Sequence, residues 1–217
     1  MNNTLMHDPI LFPQLVGPSF LNDVRRKYHP SGTHWAYSPF ISYYEGFDKN
    51  YILPEGMVSD EAGSMNRTIH RSRPEVTLPD EFDLLMHPIY NIEEMTRVRV
   101  EEVDRMMVNF YWPKPKTDEQ GNTRVYGPHQ DYDHVMHPMY SAIINISEDE
   151  DVAPTYFFHH SILNGNLKMD LVHTVHLNAG DCVVFPSYLH HAAGHCDKNR
   201  QNINLVFKTE TKIGTPS

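Results

Sequence analysis

A histidine and an aspartate stand two residues apart in the segment YGPHQDYDH, at His129 and Asp131. In extended backbone, residues i and i+2 point to the same side of the chain. An imidazole nitrogen and a carboxylate oxygen at this spacing can therefore bind one metal ion together. Ten of the 15 histidines of the chain lie between positions 129 and 195, so this region is where we expect the chemistry.

A further metal ligand is predicted in the segment FPSYLHHAAGH, where His190 and His191 are adjacent. Neighbouring residues of a strand point to opposite faces of the sheet, so only one of them can join His129 and Asp131. Two imidazoles and one carboxylate on one side of a metal ion leave its other positions open. Non-haem Fe(II) oxygenases use this arrangement.

A basic residue follows the two adjacent histidines closely. Arg200 begins the run RQNINLVFK, in which polar and apolar residues alternate. The alternation predicts a strand, so the Arg200 side chain can enter the cavity of the metal ligands. A buried guanidinium requires an anion, and it binds a carboxylate through two hydrogen bonds.

The elements that must position these residues are mostly strands. From about residue 100 onward, apolar residues recur with a period of two in short segments separated by turn residues. The segments are EEVDRMMVNFYW, MYSAIINIS, APTYFFHH, LVHTVHLN, DCVVFPSYL and RQNINLVFKTE. Short strands without intervening helices predict an antiparallel sandwich or barrel, the jelly roll included.

The first hundred residues predict two helices among loops. The first begins near Pro18 and Ser19, where serine suits the capping position, and the second runs from about Pro79 to Arg97 with apolar residues at helical intervals. We expect a single domain over residues 1–217. In it, a helical and loop-rich extension (1–100) covers a β-sheet core (101–210).

Composition excludes several classes of protein. Hydrophobic residues make up 40% and charged residues 21% of the 217 positions, as in folded globular proteins. The formal net charge of −10 repels phosphate backbones and anionic membranes, so neither nucleic acid nor a membrane is an expected partner. The chain has no long apolar stretch and only two cysteines, Cys182 and Cys196, which predicts a soluble, cytoplasmic protein.

Taken together, these motifs resemble the 2-oxoglutarate and Fe(II)-dependent dioxygenases, most closely their prolyl-hydroxylase-like branch. The similarity covers about residues 104–209. MMVNFYW is similar to the N-x-Y strand of that branch, YGPHQD to its metal-binding turn, AGDCVVFPSYLHH to the run that ends in a ligand histidine, and RQNINLVF to its closing arginine strand. Two features depart from the pattern: residues 152–154 replace paired glycines, and Asn202 replaces the serine often found two residues after the arginine.

The resemblance implies a double-stranded β-helix of the jelly-roll, cupin-like type, mainly β with flanking helices (α+β). It implies a catalytic Fe(II) ion bound by His129, Asp131 and a distal histidine. His191 is favoured for the distal position because it matches the family's histidine after Phe-Pro-Ser, and His190 is the alternative. A carboxylate ligand at position 131 favours hydroxylation over halogenation, because halogenating relatives carry a small residue there.

The resemblance also implies 2-oxoglutarate as co-substrate and O2 as oxidant. The far carboxylate of 2-oxoglutarate would pair with Arg200, with Asn202 as a weaker contact. Tyr111 and Tyr140 are either hydroxyl donors to the co-substrate or plain core aromatics. The implied reaction hydroxylates a small-molecule, amino-acid or peptidyl substrate and releases succinate and CO2, in a monomer or homodimer.

Two other functions and the substrate stay open at this level. One alternative is a catalytically silent, cupin-like module that binds a metal or ligand. A nucleic-acid demethylase is disfavoured, because that branch carries a second arginine six residues after the first and Val206 stands there. Residues 34–51 and 66–73 are candidates for a lid, and Arg67, Arg71 and Arg73 suggest an anionic group on the substrate.

Overall fold

The structure is a computed structural model, and it describes residues 8–32, 35–38, 51–60, 64–72, 76–131, 139–148 and 153–213. Most of these residues lie in strands. In chain order the elements are β1 (Ile10–Phe12), α1 (Pro18–Lys27), β2 (Ala36–Ser38), β3 (Tyr51–Ile52), β4 (Met57–Asp60), β5 (Ser64–Arg71), β6 (Val76–Thr77), α2 (Pro79–Thr96), β7 (Val100–Tyr111), β8 (Thr123–Tyr126), β9 (Met139–Asn145), β10 (Thr155–Leu163), β11 (Asn166–Val175), β12 (Cys182–Pro186), β13 (His190–Ala193) and β14 (Arg200–Thr209).

A large sheet joins strands from both halves of the chain. Its order is β1-β12-β9-β14-β7-β5-β2, with β6 paired to β5. Neighbouring strands in this order run antiparallel. The first hundred residues therefore do more than cover the core, because β1, β2, β5 and β6 extend its main sheet.

A smaller sheet has the order β13-β10-β11-β3, and β4 pairs with β8 beside it. Isolated bridges between Val125 and Gly194 and between His129 and His191 join the end of β8 to β13. Apolar side chains from both sheets form one buried cluster, to which the large sheet contributes Ile143 and Phe185 and the smaller sheet contributes Phe157. The strands of both sheets pair antiparallel except for the short parallel pair of β11 and β3. Two sheets packed in this way form a jelly roll, so the predicted fold class is confirmed.

The two helices pack on the outer face of the large sheet, away from the smaller one. Helix α2 buries Leu85, Ile89 and Ile92 in the same cluster as Leu205 and other residues of the large sheet. These apolar positions recur at helical intervals, which is the pattern that predicted the helix. The helix predicted from about Pro79 to Arg97 is confirmed. Neither helix of the described residues is both long and apolar enough to cross a membrane.

Two local predictions were wrong. Helix α1 has Gly17 at its N-cap and Pro18 at its first turn, without a side-chain cap, so Ser19 does not have the predicted capping role. Proline suits this position because its fixed φ matches the helix and its missing N–H has no partner there.

The second wrong prediction concerns the lid. Most of residues 66–73 lie in β5, which is hydrogen-bonded to both β7 and β2 and is not a loop. Main-chain hydrogen bonds to neighbouring strands hold this segment in the sheet, independently of the contacts of its basic side chains. The other lid candidate, residues 34–51, lies mostly outside the described residues, as does Arg73.

Candidate active site

His129 and His191 are paired directly through their backbones. The His129 N–H donates to the His191 carbonyl at 3.1 Å, and the His191 N–H donates to the His129 carbonyl at 2.9 Å. Two residues further on, the Asp131 N–H donates to the Ser187 carbonyl at 3.0 Å. The segment after β8 therefore runs along β13 as an added piece of strand, which brings the H-x-D motif to the distal histidine.

Backbone carbonyls orient both imidazole rings. His129 Nδ1 lies 3.1 Å from the Gly127 carbonyl, and His191 Nδ1 lies 3.2 Å from the Leu189 carbonyl. A carbonyl only accepts hydrogen bonds, so each ring in its neutral form would carry its proton on Nδ1 and keep the Nε2 lone pair for a metal. His191 Nε2 is buried and has no hydrogen-bond partner.

The three predicted ligands come together. One donor atom from each of His129, Asp131 and His191 lies within 4.8 Å of the others, and Asp131 Oδ2 is 3.7 Å from His191 Nε2. The His129 and His191 ring centroids are 4.4 Å apart. Two imidazoles and a carboxylate are the donor set that suits Fe(II), so these residues fit the implied metal.

His190 points to the opposite face of β13. Its ring packs edge-on against His160, with the centroids 4.6 Å apart. Burial, then the neighbouring His160, lowers the pKa of His190 to about 3. The structure therefore brings His191, and not His190, to His129 and Asp131.

The protonation states at the site favour metal binding. Burial, followed by the neighbouring His129, lowers the pKa of His191 to about 4, so this imidazole is neutral at pH 7. Burial alone would raise the pKa of Asp131, but the Arg105 guanidinium and the two imidazoles hold it well below its usual value. A neutral imidazole and an ionised carboxylate are the ligand forms of these side chains.

Arg105 is a residue of the site that the sequence analysis missed. Its guanidinium donates a hydrogen bond to Asp131 Oδ1, and Asp131 is almost fully buried. The period-two pattern of β7 could have found it, because Arg105 shares its strand face with Asn109 and Tyr111.

Arg200 lies buried between the sheets, at the start of β14. Its guanidinium donates to the Thr155 hydroxyl at 2.9 Å and to the Pro154 carbonyl at 3.3 Å, and its Cζ lies 5.7 Å from the Tyr111 ring centre. Among the described residues it makes no ion pair. A buried cation without a counter-charge is expensive, so this position fits an anionic ligand.

Asn202 and Tyr111 lie beside Arg200. Asn202 follows Arg200 on the same strand face, and its Oδ1 is buried without a hydrogen-bond partner. Burial raises the pKa of the Tyr111 hydroxyl, although Arg200 and a hydrogen bond with Asn202 act in the opposite direction. Both side chains therefore remain candidates for contacts to the same ligand.

Of the two roles predicted for Tyr140, the structure supports the core aromatic, and the predicted contact with the co-substrate was wrong. Tyr140 is opposed to Phe207 in the large sheet and belongs to the apolar cluster under the helices. Its hydroxyl accepts a hydrogen bond from the Ile213 N–H at 3.0 Å. The even-numbered residues of β9 face the helices, whereas the odd-numbered Ser141 faces the metal ligands. A two-residue period separates these two faces but does not tell which of them is the inner one.

Comparison with models of protein families gives no match, and comparison with curated proteins gives none either. Similar solved structures do exist. A 2OG-Fe(II) oxygenase-family oxidoreductase from Burkholderia pseudomallei is 13% identical with a TM-score of 0.58, over 92% of this chain and 84% of that one. A Pseudomonas putida prolyl-4-hydroxylase is 15% identical with a TM-score of 0.52, over 94% of each chain.

A third similar structure is that of the epimerase SnoN from nogalamycin biosynthesis, in complex with Fe3+, alpha ketoglutarate and nogalamycin RO. It is 13% identical with a TM-score of 0.56, over 94% of this chain and 79% of that one. At these identities the similarity concerns the fold. The chain therefore has the fold of the 2-oxoglutarate and Fe(II)-dependent oxygenases.

Proposed function

We propose that the protein is an Fe(II)- and 2-oxoglutarate-dependent dioxygenase that hydroxylates a small-molecule, amino-acid or peptidyl substrate and releases succinate and CO2. The observation that carries the proposal is a pair of unmet requirements between the same two sheets. His191 Nε2 is buried without a hydrogen-bond partner, and the Arg200 guanidinium is buried without an ion pair among the described residues. A metal ion satisfies the first requirement, and a carboxylate satisfies the second.

The spacing of the two requirements favours one ligand for both. On β10, Phe157 is opposed to His191, and Thr155, which contacts Arg200, lies two residues away. Two residues of strand span about 7 Å. This length suits a short dicarboxylate with a 2-oxoacid group at the metal and a carboxylate at Arg200, which describes 2-oxoglutarate.

Each residue has a defined task in this proposal. His129, Asp131 and His191 would hold Fe(II), which when bound supplies the activation of O2. Arg200 and Thr155 would orient the co-substrate by its far carboxylate. The fully buried Phe185 ring lies edge-on to His191, with the centroids 4.7 Å apart, and helps to keep water from the metal ligands.

Hydroxylation is the proposed outcome among those that the fold supports. The compared proteins include a prolyl-4-hydroxylase and an epimerase, so the fold alone does not select the reaction. The Asp131 carboxylate would occupy the ligand position that a halide takes in halogenating enzymes. Asp131 therefore supports hydroxylation over halogenation.

The test is an anaerobic titration of metal-free protein with Fe(II) and then with 2-oxoglutarate. We expect a visible charge-transfer band between iron and the 2-oxoacid, followed by succinate formation when O2 and substrate candidates are admitted. His191→Ala should remove the band, and Arg200→Ala should shift its appearance to higher 2-oxoglutarate concentration. The exposed His159→Ala is the matched control and should behave as the unaltered protein.

The opposite outcome would favour another function. A folded, iron-loaded protein that shows no band at high 2-oxoglutarate concentration contradicts the proposal. The silent cupin-like binding module would then be the better description. Size measurement in the same samples would distinguish a monomer from a homodimer.

A further inference from the structure

Two arginines are directly opposed across neighbouring antiparallel strands. Arg71 of β5 pairs with Arg105 of β7 in the large sheet. Directly opposed residues point to the same face of a sheet, and like charges at such positions destabilise it. Negative charge near the pair would offset this repulsion.

Arg105 faces the space between the sheets, beside the proposed metal ligands, and the exposed Arg71 is its register partner on β5. Arg105 donates to Asp131 Oδ1, while Asp131 Oδ2 is the oxygen that faces His191. Arg200 is opposed to Tyr111, the last residue of the same strand. The arginine pair at the middle of β7 and Arg200 at its end thus lie at different positions along the same strand.

The donors of this pair are incompletely used. Arg105 makes a single described ion pair, and its Nε–H is buried without a hydrogen-bond partner. Arg71 is exposed and makes no ion pair with any residue that the structure describes. The one charge of Asp131 balances Arg105, so among the described residues the charge of Arg71 has no ion-pair partner and the Arg105 Nε–H has no acceptor.

We propose that Arg71 and Arg105 form a subsite for a carboxylate of the primary substrate. This inference rests on the proposed function and narrows its substrate to a small carboxylic acid, such as a free amino acid. A carboxylate brings one negative charge, which matches the one unbalanced positive charge, and it can accept hydrogen bonds from both guanidinium groups. A phosphate dianion would bring more charge than the pair balances.

The test uses acetate as a probe, with saturating 2-oxoglutarate to fill the Arg200 site. Protein loaded with Zn(II), which is diamagnetic, is titrated with acetate at constant ionic strength. The side-chain Nε–Hε NMR signals of Arg71 and Arg105 are followed. We expect saturable shifts of these two signals with acetate and none with neutral acetamide.

Variants of Arg71, the exposed arginine of the pair, test whether acetate binds at this pair. Arg71→Gln should weaken acetate binding about tenfold, the loss expected for one charge-assisted hydrogen bond. Arg71→Lys keeps the charge and should retain most of the affinity. Arg26→Gln, an exposed arginine of α1, is the matched control and should leave acetate binding unchanged.

Three results would overturn the inference: no saturable binding of acetate, equal affinity in Arg71→Gln, or tighter binding of inorganic phosphate than of acetate. Binding of Zn(II) and 2-oxoglutarate is measured first in each sample, so a failure of the proposed cofactor site is seen separately. In that event the metal-free protein is titrated, because the arginine pair does not depend on the metal.

Discussion

His129 and His191 exchange two backbone hydrogen bonds, of 3.1 and 2.9 Å, although they come from distant parts of the sequence. The exchange holds their ring centroids 4.4 Å apart. Two of the three proposed metal ligands thus belong to one β-bridge, and the third, Asp131, is fixed to the Ser187 carbonyl beside it. Such a site is built before the metal arrives, which favours tight binding.

The two adjacent histidines should differ in their effect on metal binding. His191→Ala removes a proposed ligand, so we expect the Fe(II) affinity to fall by at least about 100-fold, because the loss of a residue that only supports a metal ligand already costs about 10- to 100-fold. His190→Ala should leave the Fe(II) affinity within a few fold and lower the stability instead, because its buried ring packs on His160. Calorimetric titration with Fe(II) under anaerobic conditions, together with urea unfolding, checks both outcomes. Loss of Fe(II) binding in His190→Ala alone would reverse the assignment.

Arg200 should control the response to 2-oxoglutarate without affecting the metal. In Arg200→Met we expect the Kd for 2-oxoglutarate to rise by roughly 100-fold, because one partner of a buried charge pair is removed. Without co-substrate, the variant should be at least as stable as the unaltered protein, since the buried guanidinium has no described ion pair. Thermal unfolding with and without 2-oxoglutarate measures both effects. A variant that still gains the full stabilisation from 2-oxoglutarate would contradict the role of Arg200.

Tyr111 and Tyr140 should differ in their effect on 2-oxoglutarate binding. Tyr111→Phe removes a hydroxyl near Arg200 and Asn202, and we expect about tenfold weaker 2-oxoglutarate binding. Tyr140→Phe should leave that binding unchanged and lower the free energy of unfolding by about 1 kcal/mol, because its hydroxyl accepts only a structural hydrogen bond from Ile213. Equal effects of the two substitutions on 2-oxoglutarate binding would show that the outer face of the sheet matters for the site.

The metal-free protein should lose stability as the pH falls below about 6.5. Burial lowers the pKa of His190 to about 3 and of His191 to about 4, whereas both titrate near 6.5 in an unfolded chain. Between these values the unfolded state binds more protons than the folded state. The free energy of unfolding therefore falls with decreasing pH, by up to about 1.4 kcal/mol per pH unit for each histidine.

Urea unfolding at pH 7.5, 6 and 5 measures this dependence. His190→Gln should reduce the slope by the share of one histidine, whereas the exposed His159→Gln should leave it unchanged. The comparison isolates the buried histidine from carboxyl groups that titrate in the same range. A slope in His190→Gln equal to that of the unaltered protein would contradict the burial of a neutral imidazole.

Much of the candidate site could be predicted from local sequence patterns. The spacing of His129 and Asp131, the alternation of β14 around Arg200 and the strand pattern from residue 100 onward all depend on neighbours in sequence. The hairpin turn between β10 and β11 is local in the same sense, because Asn164 and Gly165 adopt the positive φ angles that their residue types favour. Such features are local because backbone geometry fixes them over a few residues.

Other features depended on which face of a strand is the inner one. Tyr140 was misassigned because period two gives two faces without naming the buried site, and here both faces of the large sheet are covered. The pairing of β5 was missed for a related reason: it involves residues far apart in sequence, and its basic side chains indicate a loop as readily as a strand. Arg105 was overlooked because a charged residue in a strand is usually exposed.

The sequence by itself determined the type of fold and the residue types of the proposed chemistry, because period, turns and short motifs act locally. The tertiary structure decided which of two adjacent histidines meets Asp131 and that Arg105 joins it. It also decided that Arg71 comes to lie opposite Arg105. Those relationships follow from strand register and sheet packing, in which a shift of one residue exchanges the inner and outer faces.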